Sequence, residues 1–371
     1  MKYYFSSICR YVDDHLLCCH FYDLDDCVTL TPQPPLFMCG SLMQNFVLRI
    51  SMWVLGLSAL VGNIYVIGIR VREKRRSSIQ SKQSFMIGNL AVSDCIMGVY
   101  MLILASVDLY YGDDYFIHSD VWRSSALCKV ASFLSLLSSE ASVFFLTLIS
   151  VDRFISLVFS FSKVQLGVKS TKIVGGLLWV FALVLGIVPT LYAGPESDLY
   201  DLSDVCIGLP LITRPASFSI QSSDVGGAGG EGPDSGRTFA LPVADEFKPA
   251  WYFSIAIFLG LNLVCFLIIF LCYVAIFVYI RMIRKRSKRE AKTDEDLKIA
   301  IKMAAIVGTD FICWMPVIIM GILSQTGLAV IPLQMYTWSV VFILPLNSSL
   351  NPYLYTIATY IADRRNEKNQ K

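Results

Sequence analysis

Three acids, Asp94, Glu140 and Asp310, stand inside long apolar stretches, and a fourth, Asp152, is followed at once by Arg153 near the end of another. A carboxylate in a hydrocarbon environment costs at least a few kcal/mol unless it is paired, so each acid demands a partner. The chemistry open to such groups is an ion or proton path, a cation site, or a hydrogen-bonded latch between helices. Groups of the right type are at hand in Asn63, Ser142, Asn347 and Asn351. The last two sit in Ser339 to Thr356, SVVFILPLNSSLNPYLYT, which also carries two prolines and two tyrosines. Each buried amide there must find a partner, and Pro352 removes a backbone donor and frees a carbonyl. The segment therefore reads as a polar hinge in a helical bundle. Enzymatic chemistry has no support, because the sequence holds no metal-ligand cluster, nucleophile triad or phosphate loop.

The elements that must hold these groups are membrane spans. At 55% hydrophobic and 16% charged residues, with a mean hydropathy of +0.58, the chain is too apolar for an ordinary soluble protein of its 371 residues. Apolar blocks run at about Phe46 to Ile69, Phe85 to Leu109, Leu127 to Phe154, Ile173 to Leu191, Trp251 to Ile280, Ile299 to Leu323 and Met335 to Tyr360. All are near or above the roughly 20 residues that cross a bilayer core. The expected fold class is an all-α membrane protein, a bundle of seven transmembrane helices. No internal repeat of a solenoid type is present in the sequence.

Loop charge orients the bundle. Arg70, Arg72, Lys74, Arg75, Arg76 and Lys82 follow span one, and Arg281, Arg284, Lys285, Arg286, Lys288, Arg289 and Lys292 follow span five. Asp113, Asp114 and Asp120 follow span two, while Glu196, Asp198, Asp201 and Asp204 follow span four. By the positive-inside rule the N-terminus is expected outside and the C-terminus inside. The basic run from Arg281 to Lys292 could touch anionic lipid as well, although topology alone explains it.

Residues 1–45 open, over Met1 to Tyr22, without a basic start followed by a continuous apolar run, so a cleavable leader is not expected. They contain Cys9, Cys18, Cys19, Cys27 and Cys39, an odd set whose pairing the sequence leaves open; a disulfide-bearing hinge segment is the reading taken here over a zinc site. The second outside loop is expected over 192–249, with a Gly, Ser and Asp insert, DVGGAGGEGPDSG, too poor in apolar residues to form a core. Residues 46–360 are expected to form the seven-helix bundle and 361–371 a short inner tail. The acceptor pattern Asn347-Ser348-Ser349 lies inside a span, where glycosylation cannot occur.

Several motifs, each in its own span and in this order, together resemble the rhodopsin-like, class A, G-protein-coupled receptors. They are GN at Asn63, NLAVSD ending at Asp94, Cys128, Asp152-Arg153-Phe154, Trp179, CWMP at Cys313 to Pro316, and NPYLY at Asn351 to Tyr355. Finer features look like the leucine-rich-repeat-containing branch, which holds the glycoprotein-hormone and relaxin-family peptide receptors. These are SSEASVFFLTL around Glu140, Asp310 in TDF, a fifth span without the usual proline, and Cys265 near where that proline would be. IFLGLNLVCFLIIF and WSVVFILPLNSSLNPYLYT look most like relaxin receptors. The chain lacks that branch's leucine-rich ectodomain, and Ser160 stands in LVFSFSK where the family tends to have proline.

The resemblance implies a multi-pass receptor of the plasma membrane that passes an extracellular peptide or protein hormone signal to a heterotrimeric G protein, with capture left to an ectodomain absent here. It implies no nucleic-acid partner. It implies an ionic lock at Asp152, Arg153 and Asp296. Fourteen residues separate Asp296 from Asp310, which returns to nearly the same helix face after about 21 Å. It implies an activation switch built from Asp310, Trp314, Pro316, Asn347, Asn351, Pro352, Tyr355 and Tyr273, with Asn347 and Asn351 as donors to Asp310 and Pro316 as the bend. It implies a disulfide between Cys128 and Cys206. Asn63, Asp94, Ser142, Asn347 and Asn351 could line a pocket for sodium, or a water network with no ion; both stay open. No other cofactor is expected.

Three other readings compete. An ion transporter or channel would use Asp94, Glu140 and Asp310 as a path, but the spans show none of the inverted repeats common in transporters. A retinal receptor needs a lysine in span seven, and none lies between Met335 and Tyr360. A truncated, non-signalling receptor fragment is the third.

Overall fold

The computed structural model describes residues 11–12, 28–29, 40–43, 45–72, 78–159, 165–192, 204–207, 255–286, 307–320, 322–323, 335 and 338–354. Its helices in chain order are α1 (Phe46–Arg72), α2 (Ser78–Tyr111), α3 (Tyr115–Ser124), α4 (Ala126–Val158), α5 (Val168–Tyr192), α6 (Asn262–Arg286), α7 (Val307–Met320) and α8 (344–354). Turns of π-helix, Ile255–Leu261 and Ser339–Ile343, lead into α6 and α8. Spans one to seven are thus α1, α2, α4, α5, α6, α7 and α8. Five of the helices are long and apolar enough to cross a membrane, and α7 is a shorter apolar helix. The described residues of the N-terminal segment add one pairing outside the helical class, a parallel two-residue contact of β1 (Tyr11–Val12) with β2 (Val28–Thr29).

Local chemistry sets several helix ends. The Asn45 side chain accepts from the Val47 amide at the start of α1 at 2.9 Å, and Ser125 accepts from Cys128 N at the start of α4, each satisfying an orphan donor of the first turn. Arg70 and Arg72 lie in the last turn of α1, where cations favour the helix dipole. Gly112, at φ 54° just past α2, supplies the left-handed step that stops the helix.

Helix α4 is the axis of the bundle. Twenty of its 33 residues are buried, which is possible only for a helix surrounded by others, and it packs against α2, α5 and α6. Helix α1 lies against α2 and against the turn Ser339–Ile343. Small residues bring neighbours into near-contact: a Cβ at Gly98 would stand 2.8 Å from Leu60 N, and one at Gly62 would stand 2.8 Å from Pro352. Trp179 of α5 donates to Asn89 of α2 at 2.9 Å. The outward faces are apolar, with Leu177 64% and Leu271 63% exposed, as a lipid-facing surface requires.

At the end of the bundle that carries the disulfide, Cys128 is bonded to Cys206. Cys206 has φ 48°, a costly conformation for a residue with a Cβ, and its neighbours hold it in place. Tyr100 donates to Val205 O at 2.8 Å, Trp122 Nε1 to Asp204 O at 2.8 Å, Tyr115 to Asp204 Oδ1 at 3.1 Å, and Arg123 pairs with the same oxygen at 2.9 Å. The acidic stretch after span two was expected to be plain loop. It forms α3 instead, because Tyr115, Ser119, Trp122 and Arg123 are all buried and give the helix one face to bury against the cap. Nearby, Asp108 accepts from Met43 N at 2.9 Å and pairs with Arg49 at 2.7 Å, while Phe116 N donates to Gly40 O.

Lys82, counted among the loop charges, lies instead in the early turns of α2 and is only 4% exposed. Cys9, Cys18, Cys19, Cys27 and Cys39, most of the 192–249 loop and the 361–371 tail lie outside the described residues.

Replacing Asp204 with Ala removes the carboxylate that Arg123, Tyr115 and the cap share. Breaking a buried pair from one side costs about 3–5 kcal/mol, so the detergent-solubilised protein should melt several degrees lower; an unchanged melting temperature would contradict the clamp.

Candidate functional site

A column of polar groups runs through the middle of the bundle. Asp94 of α2 is fully buried and accepts from Ser142 Oγ of α4 at 3.2 Å and from Asn351 Nδ2 of α8 at 2.8 Å. Asn63 of α1 donates to Ala59 O within its own helix at 2.8 Å and to Ser348 O of α8 at 3.0 Å. Asp310 of α7, 1% exposed, accepts from Asn347 Nδ2 of α8. The polar groups thus connect spans one, two, three, six and seven. The sequence expectation gave both amides of span seven to Asp310; they divide instead, Asn347 to Asp310 and Asn351 to Asp94. One helical turn separates the two amides, so each meets the carboxylate at its own level.

Glu140, whose partner the sequence reading did not name, accepts from Asn262 Nδ2 at the start of α6 at 3.0 Å, and both residues are fully buried. The signal was available: Asn262 is an amide in LGLNLVC, an apolar run like the one around Asn347. The π-turn Ile255–Leu261 immediately before it winds wider than an α-helix and sets the register at which Asn262 enters the bundle.

At the opposite end of the bundle from the disulfide, Asp152 is 1% and Arg153 5% exposed. Asp152 Oδ1 accepts from Lys82 Nζ at 2.8 Å, while Arg153 Nη2 stands 3.7 Å from Asp152 Oδ2. The Gln83 amide is assigned with its oxygen toward Arg153, since the other orientation would press its NH2 against the guanidinium; that oxygen accepts from Nη1 at 2.9 Å and Nη2 at 2.6 Å. Tyr273 of α6 is partly buried and packs against the main apolar core. Asp296 and Tyr355, assigned to the lock and switch from the sequence, lie outside the described residues.

The remaining expected residues sit around the column. Trp314 is 3% exposed, one turn from Asp310, and its ring lies 5.9 Å from that of Phe266. Pro316 is on the exposed face of α7 and Pro352 is buried against Gly62. Lys82, Gln83 and Ser348 were not singled out for the site from sequence. A lysine at a span end carries the same signal whether it faces water or a buried acid, and Ser348 contributes a backbone carbonyl to Asn63, which side-chain reading does not reveal.

The family model for the seven-transmembrane receptors of the rhodopsin family matches residues 62–220 and 238–355, so the chain belongs to that family. It is 38% identical over 321 residues to the G-protein coupled receptor GRL101 of Lymnaea stagnalis, covering 86% of this chain and 26% of that protein. It is 31% identical over 325 residues to the relaxin receptor 2 of Homo sapiens, covering 86% of this chain and 38% of that one. The chain therefore spans well under half the length of these relatives. Squid rhodopsin shares the fold with a TM-score of 0.57 at 19% identity, over 84% of this chain and 81% of that structure. The family and the apolar helices make this a multi-pass protein of the plasma membrane.

The oxygens that meet at Asp94 are of the kind a hard monovalent cation takes: its own carboxylate, the Ser142 hydroxyl and the side-chain oxygen of Asn351. The side-chain oxygens of Asn351 and of Asn63 and Asn347, the other two residues expected at a sodium or water site, are buried with no hydrogen-bond partner. Water would satisfy the same atoms.

Replacing Asn262 with Leu takes a buried donor from Glu140, a loss of about 1–3 kcal/mol, whereas replacing both residues with Leu removes the unmet group as well. The single variant should therefore melt lower than the double; equal stability of parent and single variant would contradict the pairing.

Proposed function

We propose that this chain is the transmembrane signalling core of a peptide or glycoprotein hormone receptor, and that it promotes nucleotide exchange on a heterotrimeric G protein. It sits with the disulfide end and N-terminus outside and the Arg153 end inside, in line with the basic segments that follow spans one and five. Residues 1–45 serve as the hinge that would join a hormone-capturing ectodomain, 46–360 as the signalling bundle and 361–371 as an inner tail. The hormone reading draws on the likeness to the relaxin receptor 2 of Homo sapiens and on the Asp310 and Glu140 motifs. Membership in a receptor family leaves the transporter or channel reading without support, and no enzymatic role is proposed.

The observation that carries the mechanism is the bond from Asn347 to Asp310, which joins α8 to α7 in the membrane interior. A buried acid held by one neighbouring helix is a two-position device. With the bond made, span six stays against span seven; with it broken, the inner half of span six is free to swing about Pro316. Asp94 and Asn351 form the second tie, between spans two and seven. Sodium or water in the Asp94 pocket would strengthen that tie by filling the unmet amide oxygens. Opening uncovers Arg153, which then meets the G protein; in the resting state Asp152 and Asp296 restrain it.

Replacing Asp310 with Gly removes a buried hydrogen bond and leaves the Asn347 amide unmet, a loss of about 1–3 kcal/mol, enough to raise the open population roughly fivefold or more. Ligand-free second-messenger output per surface receptor should rise accordingly, and unchanged output would count against the latch. Replacing Arg153 with Ala should abolish that output without preventing insertion, whereas full signalling by that variant would remove its role. Silence of the parent, of Asp310→Gly and of Arg153→Ala alike, at normal surface level, would favour a non-signalling fragment.

A further inference from the structure

Two neighbouring residues of α2 grip two neighbouring residues of α4. Lys82 holds Asp152 at 2.8 Å, and Gln83 accepts two bonds from Arg153 at 2.9 and 2.6 Å. Lys82, Asp152 and Arg153 are each at least nineteen-twentieths buried. The direct contact inside the acid and base pair is the weakest of the set, at 3.7 Å. A lysine is seldom withdrawn this far from water unless its partner requires it, and a plain topological charge would lie in the solvated loop. From this geometry we propose that Lys82 and Gln83 are positioning residues of the resting state, a cross-brace from span two that holds Arg153 away from the G protein. The proposal rests on the signalling reading above.

The physical logic runs from charge to orientation. Asp152 could neutralise Arg153 directly and leave the arginine tied to its own helix. Lys82 instead occupies the near oxygen of Asp152, so the guanidinium turns toward span two and is caught by the Gln83 carbonyl. Bending span six uncovers an arginine held this way, and span two must yield as well before it turns out fully. The brace thus couples span two, which carries Asp94 and its tie to span seven, to the residue that meets the G protein. Removing the lysine charge makes the resting arrangement worse, because Asp152 loses its strongest close contact, and it leaves the open arrangement, with Arg153 turned out, comparatively favoured.

The test is nucleotide exchange on a purified heterotrimeric G protein, driven by the full chain in lipid nanodiscs without ligand, with Asp310→Gly and Arg153→Ala in parallel. Lys82→Met should raise the exchange rate roughly fivefold or more, and Lys82→Arg, which restores the charge, should bring it back toward the parent. Gln83→Leu should raise it also; it leaves no buried carboxylate unmet, and so serves where Lys82→Met inserts poorly. A merely structural role would lower yield or melting temperature without raising exchange per receptor. Parent-like exchange in both Lys82→Met and Gln83→Leu, alongside a raised rate in Asp310→Gly, overturns the brace alone. No exchange above background in any variant overturns the signalling reading and the brace with it.

Discussion

Everything in this molecule turns on the cost of placing carboxylates where water cannot reach them. Asp94, Glu140, Asp152 and Asp310 are each 1% exposed or less, and none has its main side-chain partner on its own helix. Asp94 is held from α4 and α8, Glu140 from α6, Asp152 from α2, and Asp310 from α8. Because hydrocarbon gives no alternative donors, the position of each acid dictates which helices stay together. Apolar packing in a membrane cannot supply that specificity, since lipid tails are as apolar as leucine.

Helix α4 follows from the same constraint. It carries two of the four acids as well as Ser142 and the disulfide cysteine, and must be surrounded to satisfy them, which explains why most of its residues are buried. At one end it is pinned to the Asp204 cap through Cys128; at the other it ends in the Asp152 and Arg153 pair. A fixed axis with restraints of different strength at its two ends is suited to passing a rearrangement along its length, because packed helices move between discrete arrangements and do not deform continuously.

The helical architecture was legible in the sequence because the signals were of the kind composition carries: apolar blocks of spanning length and amides in hydrophobic runs. The boundaries shifted by a few residues where polar ends continue a helix, as at Ser78 and Arg72. The Asn347–Asp310 pair and the Cys128–Cys206 bond were expected; what escaped the sequence was the rest of the pairing across the bundle. Asn347 and Asn351 are one turn apart, and only the level of each carboxylate decides which amide it meets. Lys82 resembles every other basic residue near a span end until its distance to Asp152 is known. Helix α3 hid in a loop because its burying residues, Tyr115, Trp122 and Arg123, are spread among the acids. Asn262, by contrast, was in plain view as an amide in an apolar span.

The most direct test of the central claim is the distance between spans three and six. Spin labels at Phe159, just past α4, and at Gly308, two residues before Asp310 in α7, where no side chain lies within 4 Å of the position of a Cβ, would report it by double electron–electron resonance in nanodiscs. Replacing Asn347 with Ala removes the donor to Asp310 while leaving the carboxylate in place. If buried acid pairing keeps the helices together, that substitution shifts the distribution toward longer distances; an unchanged distribution, in a protein that inserts and melts as the parent does, would contradict the account.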